Sequence, residues 1–308
     1  MTRPGLGRVC AGPVAGAAEL AAAYAVRREV FGIEQGVPPE IERDPLDAVA
    51  DHVVARRDGE VVGTGRLVAR PDGFGVVGRM AVCPAVRGAG VGRAVLTALE
   101  GAARARGLRG VELHAQSHAR GFYDRAGYAA YGAEFVEAGI RHVAMRKALP
   151  VVRVATDADS AALIALIEGC WSEYPGCVMD VDGEEPWLRA PASAYAEKGG
   201  TLEVVELDGE VVACVGVTPE GAGTVSLRSL YVAAAARRQG LGGELVARVE
   251  SEARRRGAGR VHLWSDTRFT DAHRLYERSG YARLPGSREL HDRSNTVEFP
   301  FAKDLALP

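Results

Sequence analysis

Two glycine-rich segments could bind an anion. They are Arg87–Arg93 (RGAGVGR) and Arg237–Gly243 (RRQGLGG). Each follows an apolar stretch typical of a strand and opens a helix-like stretch that ends at glycine, at Gly107 or Gly257. Glycines let the backbone approach a ligand closely, and the free N–H groups and dipole of a helix N-terminus favour negative charge. The spacing therefore predicts two loops that could each hold a pyrophosphate.

A tyrosine follows each loop. Tyr123 lies in the sequence FYDRAGY, and Tyr276 lies in LYERSGY. A phenol can donate a hydrogen bond or act as a weak acid, so either residue could serve catalysis. Taken alone, each is better explained as a core aromatic residue beside Phe122 or Leu275.

These segments belong to an internal duplication. Asp58-Gly59-Glu60-Val61-Val62 recurs as Asp208-Gly209-Glu210-Val211-Val212, and the glycine loops repeat at the same offset of 150 residues. The tyrosines repeat at an offset of 153, so the second half gains three residues before Tyr276. A shared spacing across several motifs indicates tandem repetition. We predict an N-terminal domain at 1–149 and a C-terminal domain at 150–308.

The elements of each half must position the loop and the tyrosine. A helix over Ala17–Phe31, an Asp-Gly hairpin and the strand before the loop precede the long helix in the first half, and alternation and helical spacing support these assignments. The segment Glu34–Asp51 is polar and rich in proline, which predicts a loop. In the second half we predict a helix over Asp157–Cys170 capped by Asp157, followed by an irregular stretch, Trp171–Gly200. The order in each half predicts a mixed α/β sheet.

Composition limits the possible functions. The formal net charge of −2 over 308 residues gives no basic field for nucleic acid or an anionic membrane. No run approaches the roughly 20 apolar residues that a membrane span needs. Five cysteines without a CxxC pair argue against a disulfide framework or a zinc site and predict a cytoplasmic protein without a metal. The loops also lack the GxGxxG and Gly-Lys-Ser/Thr patterns of dinucleotide and Walker sites.

Together, these motifs resemble the GNAT superfamily of N-acetyltransferases. The family pattern Gln/Arg-x-x-Gly-x-Gly/Ala is matched by Arg87, Gly90 and Gly92, and the second copy matches it at Arg237, Gly240 and Gly242. The later tyrosine in a Tyr-x-x-x-Gly-Tyr setting is a second mark of the family. The resemblance covers both halves and implies two tandem GNAT-fold domains.

The first half is similar to a narrower group, the ElaA-type branch. Matching segments include Arg28-Glu29-Val30-Phe31, Glu34-Gln35-Gly36-Val37-Pro38, Gly78-Arg79-Met80 and Leu113-His114-Ala115-Gln116. The second half resembles GNAT enzymes in general.

The resemblance implies acetyl-CoA as the co-substrate and direct transfer of its acetyl group to an amine. Its pyrophosphate would lie on the loops, and its pantetheine arm and thioester carbonyl would lie beside the preceding strands. The residues implied in cofactor binding are Met80, Ala81, Val82, Arg87, Gly88, Ala89, Gly90, Val91, Gly92 and Arg93 in the first half, and Leu230, Tyr231, Val232, Arg237, Arg238, Gln239, Gly240, Leu241, Gly242 and Gly243 in the second. Tyr123 and Tyr276 would protonate the departing sulfur as general acids.

The motifs identify the residues that bind the acceptor less clearly than those that bind the cofactor. In many family members a glutamate on the strand before the loop acts as the general base, but Val76 and Ser226 occupy that position here. Other candidate bases are Glu34, Glu42, Asp44, His52 and His114 in the first half and Asp180, Asp182, Asp266, His273 and Asp292 in the second. We expect Glu34 and His114 to contact the acceptor, and Glu34, Glu42, Asp44 and Asp47 could together form an acidic mouth that attracts a cationic amine.

Three alternatives stay open. One domain could be catalytic and the other degenerate, or the chain could be a non-catalytic acyl-CoA sensor. A protein N-terminus or a lysine could replace the small-molecule amine as acceptor. The sequence indicates neither the acceptor nor the oligomeric state.

Overall fold

The computed structural model describes residues 8–306. The chain divides into two compact units, Met1–Val151 and Val152–Pro308. This division lies two residues from the boundary that the duplication predicts. Within the described residues, no helix is long and apolar enough to cross a membrane, and all five cysteines are free thiols.

From residue 8 onward, the N-terminal unit contains seven strands and four α-helices. In chain order they are β1 (Val9–Pro13), α1 (Ala17–Arg27), α2 (Pro39–Glu42), β2 (Asp51–Arg57), β3 (Glu60–Ala69), β4 (Phe74–Val82), α3 (Val91–Ala105), β5 (Gly110–Gln116), α4 (Arg120–Asp124), β6 (Ala129–Glu137) and β7 (Ile140–Ala148). A π-helical segment, Arg28–Glu34, continues α1, and a short 3-10 turn covers Pro45–Ala48.

The C-terminal unit repeats this plan with additions. Its elements are β8 (Val151–Val154), α5 (Ser160–Trp171), α6 (Pro191–Glu197), β9 (Thr201–Leu207), β10 (Glu210–Pro219), β11 (Thr224–Val232), α7 (Leu241–Arg255), β12 (Arg260–Asp266), α8 (Thr270–Arg278), β13 (Ala282–Arg283), β14 (Arg288–Glu289) and β15 (Val297–Asp304). A 3-10 turn, Pro186–Arg189, precedes α6.

The two sheets have equivalent strand orders. The first runs β1-β2-β3-β4-β5-β7-β6. The second, read in the same direction, runs β8-β9-β10-β11-β12-β15-β13, with β14 added beside β15. Neighbouring strands with recorded registers pair antiparallel except β4 with β5 and β11 with β12, which are parallel. The predicted fold, two tandem mixed α/β domains, is confirmed.

The helix after each loop packs its apolar face on its sheet. Val91, Val95, Leu99 and Ala103 of α3 are almost completely buried, as their spacing predicts. Glu100 on the same face is also buried, and Lys147 of β7 neutralises it with two contacts of 2.9 Å. Glu250 and Lys303 form the matching pair in the second unit at 2.8 Å.

Several predicted elements were wrong in detail. The helix predicted over 17–31 becomes π-helical at Arg28. The segments predicted as loop or irregular contain α2 and α6, both of which begin at a proline that presets a helical φ angle. Asp157 does not cap α5: Thr156 and Asp159 form a capping box at the preceding 3-10 turn, and Asp157 instead binds Ser193.

Candidate functional site

Each sheet opens between its two parallel strands. β4 pairs with β5 only over Phe74–Val76, although both strands continue beyond that point. β11 and β12 likewise pair only over Thr224–Ser226. Beyond these residues, β4 still pairs with β3, and β11 still pairs with β10. In the described structure neither strand pairs with its parallel neighbour there. An extended ligand with amide groups could therefore pair with this free backbone edge.

A β-bulge lies on each opened strand. Arg79 and Met80 together face one residue of β3, and Arg79 has a left-handed φ of 52°. Ser229 repeats this in the second unit with a φ of 49°. A non-glycine residue in this region is strained, and a bulge redirects the backbone groups that follow it. The backbone N–H groups that could polarise the thioester carbonyl begin within these bulges, at Met80 and Leu230.

The glycine loops adopt the conformation that an anion cradle needs. Gly90 and Gly240 precede α3 and α7 with φ angles of 82° and 89°, which favour glycine. No described side chain caps either helix N-terminus. The first N–H groups of both helices thus remain available to a ligand. Arg238 stands where the first loop has Gly88, and it also has a positive φ, of 64°.

The side chain of the first arginine of each loop forms an ion pair. Arg87 binds Glu34 through two contacts of 2.8 and 2.6 Å, and its Nε donates to the Val82 carbonyl. Arg237 makes the same contacts with Glu173 and Val232. Each arginine therefore ties its loop to the segment after the first helix of its domain. In this structure the Glu34 carboxylate is engaged with Arg87, which lowers its pKa.

The two tyrosines lie beside the opened strands. The hydroxyl of Tyr123 is 3.6 Å from the Met80 sulfur. Tyr276 is only 5% exposed and lines the cleft between β11 and β12 with Leu230. Burial raises the pKa of Tyr123 to about 12 and raises the pKa of Tyr276 further. Both phenols therefore stay protonated near neutral pH, as a proton donor requires.

The cleft of the C-terminal unit is lined by aromatic and acidic side chains. They are Trp171, Tyr231, Trp264, Phe269 and Tyr276 together with Glu185, Asp266, Asp292 and Glu298, and Arg228 and Arg268 are the basic residues among them. β11, β12, α8 and the turn between β12 and α8 supply one part of this lining. The segments 171–185 and 290–298 supply the rest.

Sequence reasoning missed Glu185. It immediately precedes the 3-10 turn in the segment 171–200, which has no counterpart in the first half, so the duplication gave no signal for it. Burial raises the pKa of its carboxyl group, and the indole N–H of Trp187 donates to it. The nearby motif Glu-Pro-Trp gave no chemical pattern by which Glu185 could be distinguished.

The predicted acidic mouth of the N-terminal unit is wrong for all four of its members, because Glu34 binds Arg87 and the other three also bind arginines. Glu42 and Asp47 bind the buried guanidinium of Arg27, and Asp44 and Asp47 bind Arg66. Arg79, the bulge residue, adds a contact of 3.0 Å to Asp44 and donates to the carbonyls of residues 41 and 42. Because these carboxylates are already neutralised, they cannot act as an open cation-binding surface.

The other proposed bases and acceptor residues also have partners. His114 Nδ1 lies 2.9 Å from a carboxylate oxygen of Glu137 at a half-exposed position. The remaining contacts are His52 with the Asp47 carbonyl, Asp180 with Arg293, Asp182 with Arg189, Asp266 with Arg268, His273 with the Asp266 carbonyl, and Asp292 with the Thr296 N–H. Of the predicted bases in the second half, only Asp266 and Asp292 line the cleft.

Two protein-family models match the chain. The one described as "Acetyltransferase (GNAT) domain" matches residues 18–149. The one described as "Acetyltransferase (GNAT) family" matches residues 161–281. Each match falls within one of the two compact units.

The chain is also similar to known bacterial proteins. The Uncharacterized N-acetyltransferase YjcF of Bacillus subtilis (strain 168) is 42% identical over 130 residues, which are 42% of this chain and 92% of that protein. Protein ElaA of Escherichia coli (strain K12) is 30% identical over 133 residues, 42% of this chain and 87% of ElaA. The crystal structure of an acyl-CoA N-acyltransferase from Pseudomonas aeruginosa has 33% identity and a TM-score of 0.41, covering 46% of this chain and 98% of its own.

Proposed function

The chain belongs to the GNAT family of acetyltransferases, with one such domain in each half, and from that premise we propose that both domains use acetyl-CoA to acetylate a primary amine of a small molecule. The observation that carries this proposal is a duplicated arrangement. In each domain an opened parallel strand pair, a β-bulge, an uncapped glycine loop and a tyrosine beside the opened strands occur together.

The residues present suit coenzyme A. The loops combine left-handed glycines with free helix N–H groups, which fits a pyrophosphate. The free edge of β4 or β11 offers backbone groups to the amides of a pantetheine arm. Arg93 donates at 3.4 Å to the carbonyl of Arg125, at the C-terminus of α4, and could reorient toward phosphate.

The chain's own groups would then promote direct transfer. Backbone N–H groups after the bulge would stabilise the oxyanion that forms at the thioester carbonyl. Tyr123 or Tyr276 would donate its proton to the departing sulfur. Holding both substrates in one cleft would supply the proximity that direct attack requires.

The acceptor assignment rests on the character of the C-terminal cleft. Two of its carboxyl groups, Glu185 and Asp292, have no ion-pair partner among the described residues, and together with the aromatic walls they favour a cation with an apolar body over an anionic acceptor. We further propose that the protein acts in the cytoplasm on a small molecule and not on nucleic acid or a membrane. A non-catalytic acyl-CoA sensor is the second candidate, because Glu34 and Glu42, two of the proposed N-terminal bases, are held in ion pairs.

The test is acetyl-CoA-dependent thiol release with a panel of primary amines, using the wild-type chain, Tyr123→Phe and Tyr276→Phe. Loss of the general acid should lower kcat of the affected domain by about 100-fold. The affinity for acetyl-CoA should stay unchanged, because the phenol hydroxyl acts on the leaving sulfur. Unchanged kcat in both variants would remove the general-acid assignment, and binding without turnover by the wild type would favour the sensor.

A further inference from the structure

One carboxyl group in the C-terminal cleft is held differently from the others. Asp266 is neutralised by Arg268, and Glu298 binds Arg288. Asp292 accepts the backbone N–H of Thr296 at 2.7 Å. Among the described residues, neither Asp292 nor Glu185 has an ion-pair partner, and Glu185 differs in that its only hydrogen-bond donor is a neutral side chain, the indole of Trp187.

The contacts of Glu185 lead to the β-bulge. The ring of Trp187 meets Tyr195 edge to face, with centroids 5.6 Å apart. The Tyr195 hydroxyl donates to Ser229 Oγ, at the bulge, over 2.8 Å. Gly216 leaves room for this tyrosine, because a β-carbon there would collide with the phenol ring. The carboxyl is thus fixed, through two rigid aromatic rings, relative to the strand on which the thioester would lie.

Glu185 also shares its cleft with the proposed general acid. Both Glu185 and Tyr276 line the space that opens between β11 and β12. Ser226 occupies the position at which many family members have a general-base glutamate, and it is buried and paired within the sheet. The C-terminal domain therefore needs a proton acceptor from elsewhere, and the segment 171–200 supplies one.

We propose that Glu185 is the general base of the C-terminal site and accepts a proton from the ammonium group of a cationic primary amine. This inference rests on the proposed acetyltransferase function. The Glu185 carboxylate takes one proton from the ammonium, and the free amine forms a C–N bond to the thioester carbon. The C–S bond breaks as Tyr276 protonates the sulfur. The second proton of the nitrogen returns to the tyrosine oxygen, and Glu185 releases its proton to solvent.

The electrostatic surroundings of Glu185 favour this role. The titratable and charged groups that face it or line the same cleft are Cys177, Glu184, Tyr195, Lys198, Arg228, Tyr231, Asp266, Arg268, Tyr276, Asp292 and Glu298. Burial, and then the nearby charges of Glu184 and Asp292, raise the pKa of the Glu185 carboxyl, whereas Trp187 and Lys198 lower it. A raised pKa makes a carboxylate a stronger base at neutral pH.

The test uses the full chain with its N-terminal loop disabled by Gly90→Asp, so that turnover reports the C-terminal site. Phenethylamine and spermidine serve as probe amines. Glu185→Gln should lower kcat/KM at neutral pH by about 100-fold or more without changing acetyl-CoA affinity. The lost activity should return gradually at higher pH, where more of the amine is already unprotonated. Glu197→Gln, an exposed carboxyl on α6, is the matched control and should behave as the parent chain does.

Trp187→Phe provides a second test that does not require removal of the carboxyl. The indole N–H favours the ionised form of Glu185, so its loss should raise the carboxyl pKa. The acidic limb of the kcat/KM profile should then move to higher pH. A purely structural role for Trp187 would lower activity without moving that limb.

Three results would overturn the inference. Parent-like activity and pH dependence in Glu185→Gln would exclude this base and leave the acetyltransferase function standing. Acetyl-CoA binding without acetylation of either probe would exclude the proposed amine class and keep cofactor binding. Failure of the wild-type chain to bind acetyl-CoA would remove the proposed function, and this inference with it.

Discussion

At the scale of single residues, the pair formed by Glu34 and Arg87 determines what the first loop can offer a ligand. The sequence predicted that Arg87 belongs to the loop that binds the cofactor and that Glu34 contacts the acceptor. In the structure the two side chains bind each other, and Arg87 also holds the last carbonyl of β4. Glu173 and Arg237 repeat this pair, so it belongs to the shared cofactor half of each domain.

Glu34→Gln distinguishes the two roles. If the pair positions the loop, the Kd for acetyl-CoA at the N-terminal site should rise about two- to fivefold, since an exposed ion pair contributes only modestly. The KM for the amine should not change. Glu173→Gln is the matched variant and should do the same at the C-terminal site. A rise in the amine KM alone would instead place Glu34 in the acceptor site. Isothermal titration and steady-state kinetics measure these two quantities.

At the scale of elements, the start of the helix after each loop differs between the copies. A β-carbon at Gly92 would lie 3.6 Å from Phe122, an ordinary contact. At Gly242 it would lie 2.9 Å from a terminal carbon of Leu275, which is too close. Leu275 neighbours Tyr276 on α8, so the crowding would reach the proposed general acid.

Gly92→Ala and Gly242→Ala should therefore differ in their effect. The first should be neutral or stabilise its domain by up to about 1 kcal/mol, because alanine favours the helix. The second should stabilise its domain less or not at all, because the end of the Leu275 side chain must shift to make room. Calorimetric unfolding of the full chain would show the transition of the C-terminal domain rising less than that of the N-terminal domain. Equal stabilisation by both variants would contradict the packing difference.

The buried ion-pair network of the N-terminal domain is a second feature at this scale. Asp47, whose side chain is 8% exposed, accepts hydrogen bonds from both Arg27 and Arg66. Burial opposes ionisation, yet these hydrogen bonds hold the pKa of Asp47 well below its ordinary value. The network fixes the segment 38–48 against α1 and against the bulge residue Arg79.

Asp47→Asn should destabilise the N-terminal domain by about 1.5–3 kcal/mol at neutral pH, because it removes one charged hydrogen-bond partner from two buried arginines, which keep only Glu42 or Asp44. The depressed pKa means that the wild-type carboxylate stabilises the fold fully above the unfolded-state pKa of about 3.9. The difference in unfolding free energy should therefore be constant between about pH 6 and 8 and shrink as the pH falls below about 4. Denaturant titrations across this range measure it. A difference that grows in acid would contradict the assignment.

The sequence predicted those elements that depend on interactions between residues close together in the chain. Helical spacing located α3 and α7, and the Asp-Gly turns at Asp58 and Asp208 located the hairpins. The strand opening and the bulges depend on pairing between distant segments, and left-handed φ angles at Arg79 and Ser229 cannot be inferred from those residue types. Ion-pair partners likewise require tertiary contacts, so the carboxylates near Glu42 seemed free in sequence. Glu185 lies in a segment without a counterpart, where the duplication carried no information.

At the scale of the whole molecule, the cofactor side is duplicated and the acceptor side is not. The family prediction is confirmed for both halves, and the N-terminal half has the predicted ElaA-like similarity. Both domains retain the opened strands, the bulge, the loop and the tyrosine. The surrounding segments differ, with an arginine-neutralised network in one domain and an acidic, aromatic cleft in the other. We therefore expect both domains to bind acetyl-CoA and to differ in their acceptors.

The stoichiometry of acetyl-CoA binding to the full-length chain tests this expectation most directly. Isothermal titration should give two acetyl-CoA molecules per wild-type chain. Gly90→Asp and Gly240→Asp, which each place a carboxylate and a strained residue in one loop, should each leave one. The double variant should leave none. Two bound molecules in the double variant, or no binding by the wild type, would contradict the proposal that the glycine loops hold coenzyme A.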